Sequence, residues 1–150
     1  MQFEDTQSFY KERLDADSWF TTNGITVHLS KSAKAGDVSV INDDIESDLR
    51  SNGMAFVVKA PRLNTIAESF SQRSLYYSIT EVLILENPER NRESTGLNVT
   101  GMVAVVETLK ALVGHVEIRN SDMAYQETEG PSGLIVYIVR TEAECDLIPR

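Results

Sequence analysis

The chain has 150 residues, 41% of them apolar, with 23 acidic against 14 basic side chains and a formal charge of −9. One domain is the prior for this length, and burial of roughly 68–70% of the unfolded surface supports a core without staples. Wholesale disorder, a membrane span and phosphate-neutralising, sequence-independent nucleic-acid binding are excluded by the apolar fraction, the lack of any apolar run near 18 residues, and the sign of the charge.

The opening residues, Met1-Gln2-Phe3-Glu4-Asp5, are acidic and carry no apolar stretch. They do not read as a secretory leader, and the expectation is an intracellular protein. Residues 3–14 predict a first helix, with Phe3, Tyr10 and Leu14 near one face. Asp15-Ala16-Asp17 ends it, Trp19-Phe20 follows as an apolar pair, and Asn23-Gly24 marks a turn. Residues 25–29 alternate, Ile25, Val27 and Leu29 against Thr26 and His28, as a half-buried strand does. His28 falls on the polar side and reads as a surface strand histidine.

Residues 31–36 read as a loop and Asp37 as an N-cap. Val38, Ile41, Ile45 and Leu49 then recur every three or four residues and predict a helix over 37–51. Asn52-Gly53 is its stop signal, because glycine takes the left-handed conformation at little cost. Asp43, Asp44, Glu46 and Asp48 read as a solvated face rather than a metal site.

Residues 54–60 are apolar and β-rich and predict a central strand, stopped by Pro61. Residues 62–73 are mixed and predict a crossing loop with one helical turn. Residues 75–86 carry the strongest strand signal, long, β-branched and aromatic. One face holds Tyr76, Ser78, Thr80, Val82 and Ile84; the other holds Tyr77, Ile79, Glu81, Leu83 and Leu85. Asn87-Pro88 ends the strand, and residues 87–98 form the most polar stretch, with Arg90 and Arg92 within it.

Asn98 is placed to cap a helix over 99–113, with Met102, Val106, Leu109 and Val113 as its stripe and Gly114 beyond its end. Asn98-Val99-Thr100 also matches a glycosylation sequon, read here as a cap. Residues 115–118 restart a strand, 119–129 are polar, 130–133 form a turn and 134–139 a final buried strand. The charged residues 141–150 read as a loose tail. The expected architecture is a single α+β domain over 1–150. It has a mixed, mainly antiparallel sheet, two principal helices packed on one face, and an N-terminal helix.

Catalytic and cofactor signatures are absent from the sequence. No phosphate-cradling glycine motif and no nucleophile elbow occurs. The single cysteine, Cys145, sits among Glu142, Glu144 and Asp146, charges that raise a thiol pKa, so it reads as structural. With one cysteine and two histidines, neither a disulfide framework nor a cysteine metal cage forms. No metal and no cofactor is expected. Glu81 is the acid that stands out, because it interrupts an apolar strand face. An edge strand, or a strand facing a partner subunit, accounts for it, since an inward charge guards an edge against wrong pairing. An acid–base site built from Glu81 with His28 or His115 is the enzymatic alternative; no nucleophile accompanies it.

A strand running into Glu86-Asn87-Pro88, then Asn91-Arg92, a short Ser/Thr/Gly stretch and an apolar helix resembles the tail-terminator (tail-completion) proteins of long-tailed phages. The preceding acidic helix over 37–51, Asn52-Gly53 and the strand Ala55-Phe56-Val57-Val58 fit the same order, so the resemblance spans about residues 37–113. It implies a virion protein of the tail or neck, assembled in the host cytoplasm and without enzymatic activity. Such a protein forms a ring with itself, typically of six subunits, at the head-proximal end of the tail tube. The ring stops polymerisation of the tail-tube protein and docks to the head-completion or connector protein. DNA passes through without specific binding, and six copies of a −9 chain would repel its phosphates. Glu81, Asn87, Arg90, Asn91 and Arg92 are the candidate subunit or partner contacts. Another neck protein, or a small acidic protein-binding module, remains the alternative.

Overall fold

The computed structural model describes residues 3–37, 41–67, 75–87, 103–105, 107–108, 125–129 and 134–145. A 3-10 turn at Phe3–Asp5 leads into α1 (Thr6–Asp15), followed by α2 (Ser18–Asn23), β1 (His28–Leu29), α3 (Asp43–Asn52), β2 (Met54–Val58), β3 (Arg62–Ala67), β4 (Leu75–Glu86), β5 (Tyr125–Glu129) and β6 (Ile135–Cys145). Residues 103–105 and 107–108 are helical as well.

The strands form one open sheet in the order β1-β2-β4-β6-β5. β1 and β2 are parallel, with His28 opposite Val57. Every other pairing is antiparallel. β2 and β3 lie end to end along the same side of β4. β2 pairs with Val82–Glu86 and β3 with Leu75–Ile79, so the interruption between the two strands at Lys59-Ala60-Pro61 falls opposite the middle of β4. The α+β class and the mixed, mainly antiparallel sheet are as expected from the sequence.

Alternation of side chains sends two cores to opposite faces. Met54, Phe56 and Val58 join Val82, Ile84, Val139 and Ala143 beneath Tyr10, Leu14, Phe20 and Val105. Ala55 and Val57 join Leu83, Leu85, Val136 and Ile138 beneath Ile45 and Leu49. α3 therefore covers one face, while α1, α2 and the helical residues 104 and 105 cover the other. This corrects the expectation of two principal helices on one face. A periodic stripe shows that a helix buries a side, but not which side of a sheet receives it. β2 is buried at all five positions because both of its faces are covered.

Local chemistry sets the element ends. Asn42 caps α3, its side-chain oxygen accepting the Ile45 N–H at 2.9 Å. The expected cap Asp37 lies before the helix and instead accepts a hydrogen bond from the Ser32 hydroxyl at 2.6 Å. α3 therefore begins at residue 43, not 37. Gly53 ends it at φ 76°, a conformation that disfavours any side chain with a Cβ. Trp19 and Phe20, expected as an apolar pair after the first helix, belong to α2. There Asp17 caps the Trp19 N–H at 3.0 Å, and both rings meet Phe56 edge-on at centroid distances of 5.6 and 4.9 Å.

Four other stretches differ from expectation. Residues 62–67 are β3 rather than a crossing loop with a helical turn, because β4 extends past β2 and offers its free edge. β5 arises at Tyr125–Glu129 within a stretch read only as polar. β6 continues through Cys145, so residues 141–145 are not a loose tail: Thr141, Ala143 and Cys145 are buried. The strand expected at 25–29 narrows to His28–Leu29, although Ile25 and Val27 are buried and Thr26 is exposed as the alternation requires. The strand expected at 115–118, the turn at 130–133, the stripe residues Met102, Val106, Leu109 and Val113, and Arg90, Asn91 and Arg92 lie outside the described residues.

Candidate functional site

The break between β2 and β3 leaves a gap in the ladder on one side of β4, and charged side chains fill it. Lys59 directly follows β2, and its N–H still donates to the Glu81 carbonyl at 3.0 Å. Its side chain points to the α3 face and meets the Glu81 carboxylate, Nζ to Oε1 at 2.9 Å, with both side chains 1% exposed. Lys59 Nζ also donates to the Lys34 carbonyl. The Gly36 N–H donates to Glu81 Oε1 at 3.1 Å and lies 3.4 Å from Oε2. Gly36 holds φ 71°, which suits a residue without Cβ where the loop turns its N–H inward.

Two arginines complete the cluster. Arg62 opens β3, with Nη1 3.7 Å from Glu81 Oε1. Arg140 on β6 stands directly opposite Glu81 in the β4–β6 register, with Nη2 3.5 Å from Oε2. Burial by itself raises the Glu81 pKa. The Lys59 and Gly36 hydrogen bonds and the charges of Lys59 and Arg62 outweigh it and hold the carboxyl below its ordinary value. Glu81 is thus an ionised carboxylate at the centre of the sheet. The edge-strand position expected from the sequence is corrected: β4 has β2 and β3 on one side and β6 on the other. At 1% exposure its side chain presents no surface to another molecule.

The enzymatic pairing of Glu81 with His28 is not formed. His28 Nε2 lies 2.6 Å from Asp48 Oδ2 on α3, an internal tie between β1 and that helix. His115 lies outside the described residues. Cys145 is a buried thiol beside Tyr10, whose hydroxyl pKa is raised by burial and by that neighbour. Among the described residues, no group of three or more His, Cys, Asp or Glu is arranged to hold a metal ion. No helix among them is long and apolar enough to cross a membrane.

Of the expected contact residues, Asn87 is described and half-buried just beyond β4, its N–H donating to the Gly53 carbonyl at 2.9 Å. The sequence reading missed Lys59, Arg62 and Arg140 as members of a site. A signal for Lys59 was present: it is the one charge in the apolar run 54–60, as Glu81 is in the apolar run from Ile79 to Leu85. Two lone opposite charges in two apolar strands each need a partner. No family model matches the chain, and no curated protein matches it.

Proposed function

We propose that the protein is a structural virion component, a tail terminator that forms a ring of six copies at the head-proximal end of a phage tail tube. The observation that carries the reading is the passage from β4 through Glu86-Asn87-Pro88 into a polar segment and then a helix, the pattern that resembles that family. Its physical setting supports it. β4 is gripped by β2 and β6 up to Glu86, and Asn87 is tied to Gly53 at the end of α3. The chain therefore leaves β4 from a fixed point. Among the described residues the sheet is also open, with β1 and β5 as its outer strands, and an open edge is where another chain can pair.

The reading is tested with a tagged copy expressed during particle production, captured and viewed by electron microscopy. Label at the head–tail junction, on the blunt end of the tube, is the expected result. Label at the junction but on the head side would instead make it another neck protein. Capture of a basic host protein without particles would replace the proposal with a small acidic binding module.

A further inference from the structure

We infer that Arg62 and Arg140 form a carboxylate receptor, and that its occupant is the acidic first turn of α3 from a second copy of this chain. The inference rests on the ring reading for its partner.

The site is built from beneath. Glu81 is already satisfied at hydrogen-bond distance by Lys59 Nζ at 2.9 Å and by the Gly36 N–H at 3.1 Å. The arginines stand off at 3.7 and 3.5 Å, beyond the 2.7–3.2 Å of an N–H···O bond. Glu81 thus attracts and orients both guanidinium groups without taking up their donors. Each group has five N–H donors in a planar fork that suits a carboxylate. Neither makes a hydrogen bond among the described residues. Three cations surround one carboxylate here, in a chain whose overall charge is −9. The side chains are 23% and 45% exposed, open to solvent on the α3 face.

The complementary group lies on the surface of the same chain. Asp43, Asp44 and Glu46 are all exposed in the first turn of α3. None of the three makes an ion pair or side-chain hydrogen bond among the described residues. A chain with two guanidinium groups whose N–H donors Glu81 does not take up, and with three exposed carboxylates, carries both halves of a contact with itself. A head-to-tail contact of this kind closes into a ring when the rotation between copies allows it.

The test is a charge swap read by sedimentation velocity at low and high salt. One variant carries Arg62→Glu and Arg140→Glu; the other carries Asp43→Lys, Asp44→Lys and Glu46→Lys. The expected result is that each alone weakens self-association about tenfold or more, and that mixing the two restores it. Arg62→Gln with Arg140→Gln removes the charge without placing new acids beside Glu81. It should weaken association while the chain still unfolds cooperatively, at a somewhat lower temperature because Glu81 loses two of its three cations. Unchanged association in these variants, mixing that fails to restore it, or no self-association of the wild-type chain would each overturn the receptor. The ring reading fails separately, in the particle-labelling experiment. Labelled tails with association blind to the swap would overturn the receptor alone. A working swap with unlabelled tails would overturn the ring reading and keep the contact between copies.

Discussion

Lys59 and Glu81 show how one residue pair governs a sheet. Removing one partner leaves a charge buried without compensation, a loss of about 3–5 kcal/mol. Lys59→Met is expected to lose that much in urea unfolding at pH 7, whereas Lys59→Met with Glu81→Leu recovers most of it. Acid titration gives the sign. The folded-state pKa of Glu81 is depressed, so its stabilisation is complete above the ordinary glutamate value of about 4.3. It disappears as pH falls through the lower folded value. Glu81→Gln should therefore be less stable than the wild type at pH 7, and the gap should narrow as the pH falls below about 4. A constant gap across that range would mean that the Glu81 charge does not contribute. A lone charge in an apolar strand was visible in the sequence. That two such charges met was not, because Lys59 and Glu81 are 22 residues apart and only the β2–β4 register brings them together.

At the scale of elements, stop signals were more legible than start signals. Gly24 and Gly53 end α2 and α3 in the left-handed conformation, where the sequence marked both turns. A glycine in that conformation has few substitutes, since a Cβ costs about 1 kcal/mol or more there. Gly53→Ala is expected to lower stability by about that amount, read as a shift in the urea midpoint at unchanged slope. A wild-type midpoint would show that the end of α3 relaxes freely. The start of α3 was misplaced because Asp37 and Asn42 are both good caps by residue type. The difference is what else each could bond: Ser32 occupies Asp37, while Asn42 is placed for the Ile45 N–H. β3 was missed for a similar reason. Residues 62–67 have weak strand character of their own and pair because β4 extends beyond β2.

For the whole molecule, the long β4–β6 pairing is the spine. It runs from Tyr76 opposite Cys145 to Glu86 opposite Ile135. Residues 141–145, which looked like a charged tail, supply five of its rungs and bury Thr141, Ala143 and Cys145. Deleting residues 141–150 is expected to cost more than about 3 kcal/mol, from the lost pairing and apolar burial. The check is a thermal melt followed by Trp19 fluorescence. A truncated chain melting like the full one would mean that the upper half of the spine is dispensable.

The sequence by itself determined the elements whose signals are local and strong: α3 by its period, β2 and β4 by apolar and β-branched runs, and the turns at Gly24 and Gly53. Those signals are written within a few residues, and nearest-neighbour sterics and hydrogen bonds suffice to decide them. Only the tertiary structure decided which face each helix covers, that polar stretches at 62–67 and 125–129 join the sheet, and that Glu81 lies at its centre with Lys59, Arg62 and Arg140 around it. These are matters of long-range register. A strand's partner, and the charge that faces its charge, depend on residues far away in the chain, and no local pattern carries that information.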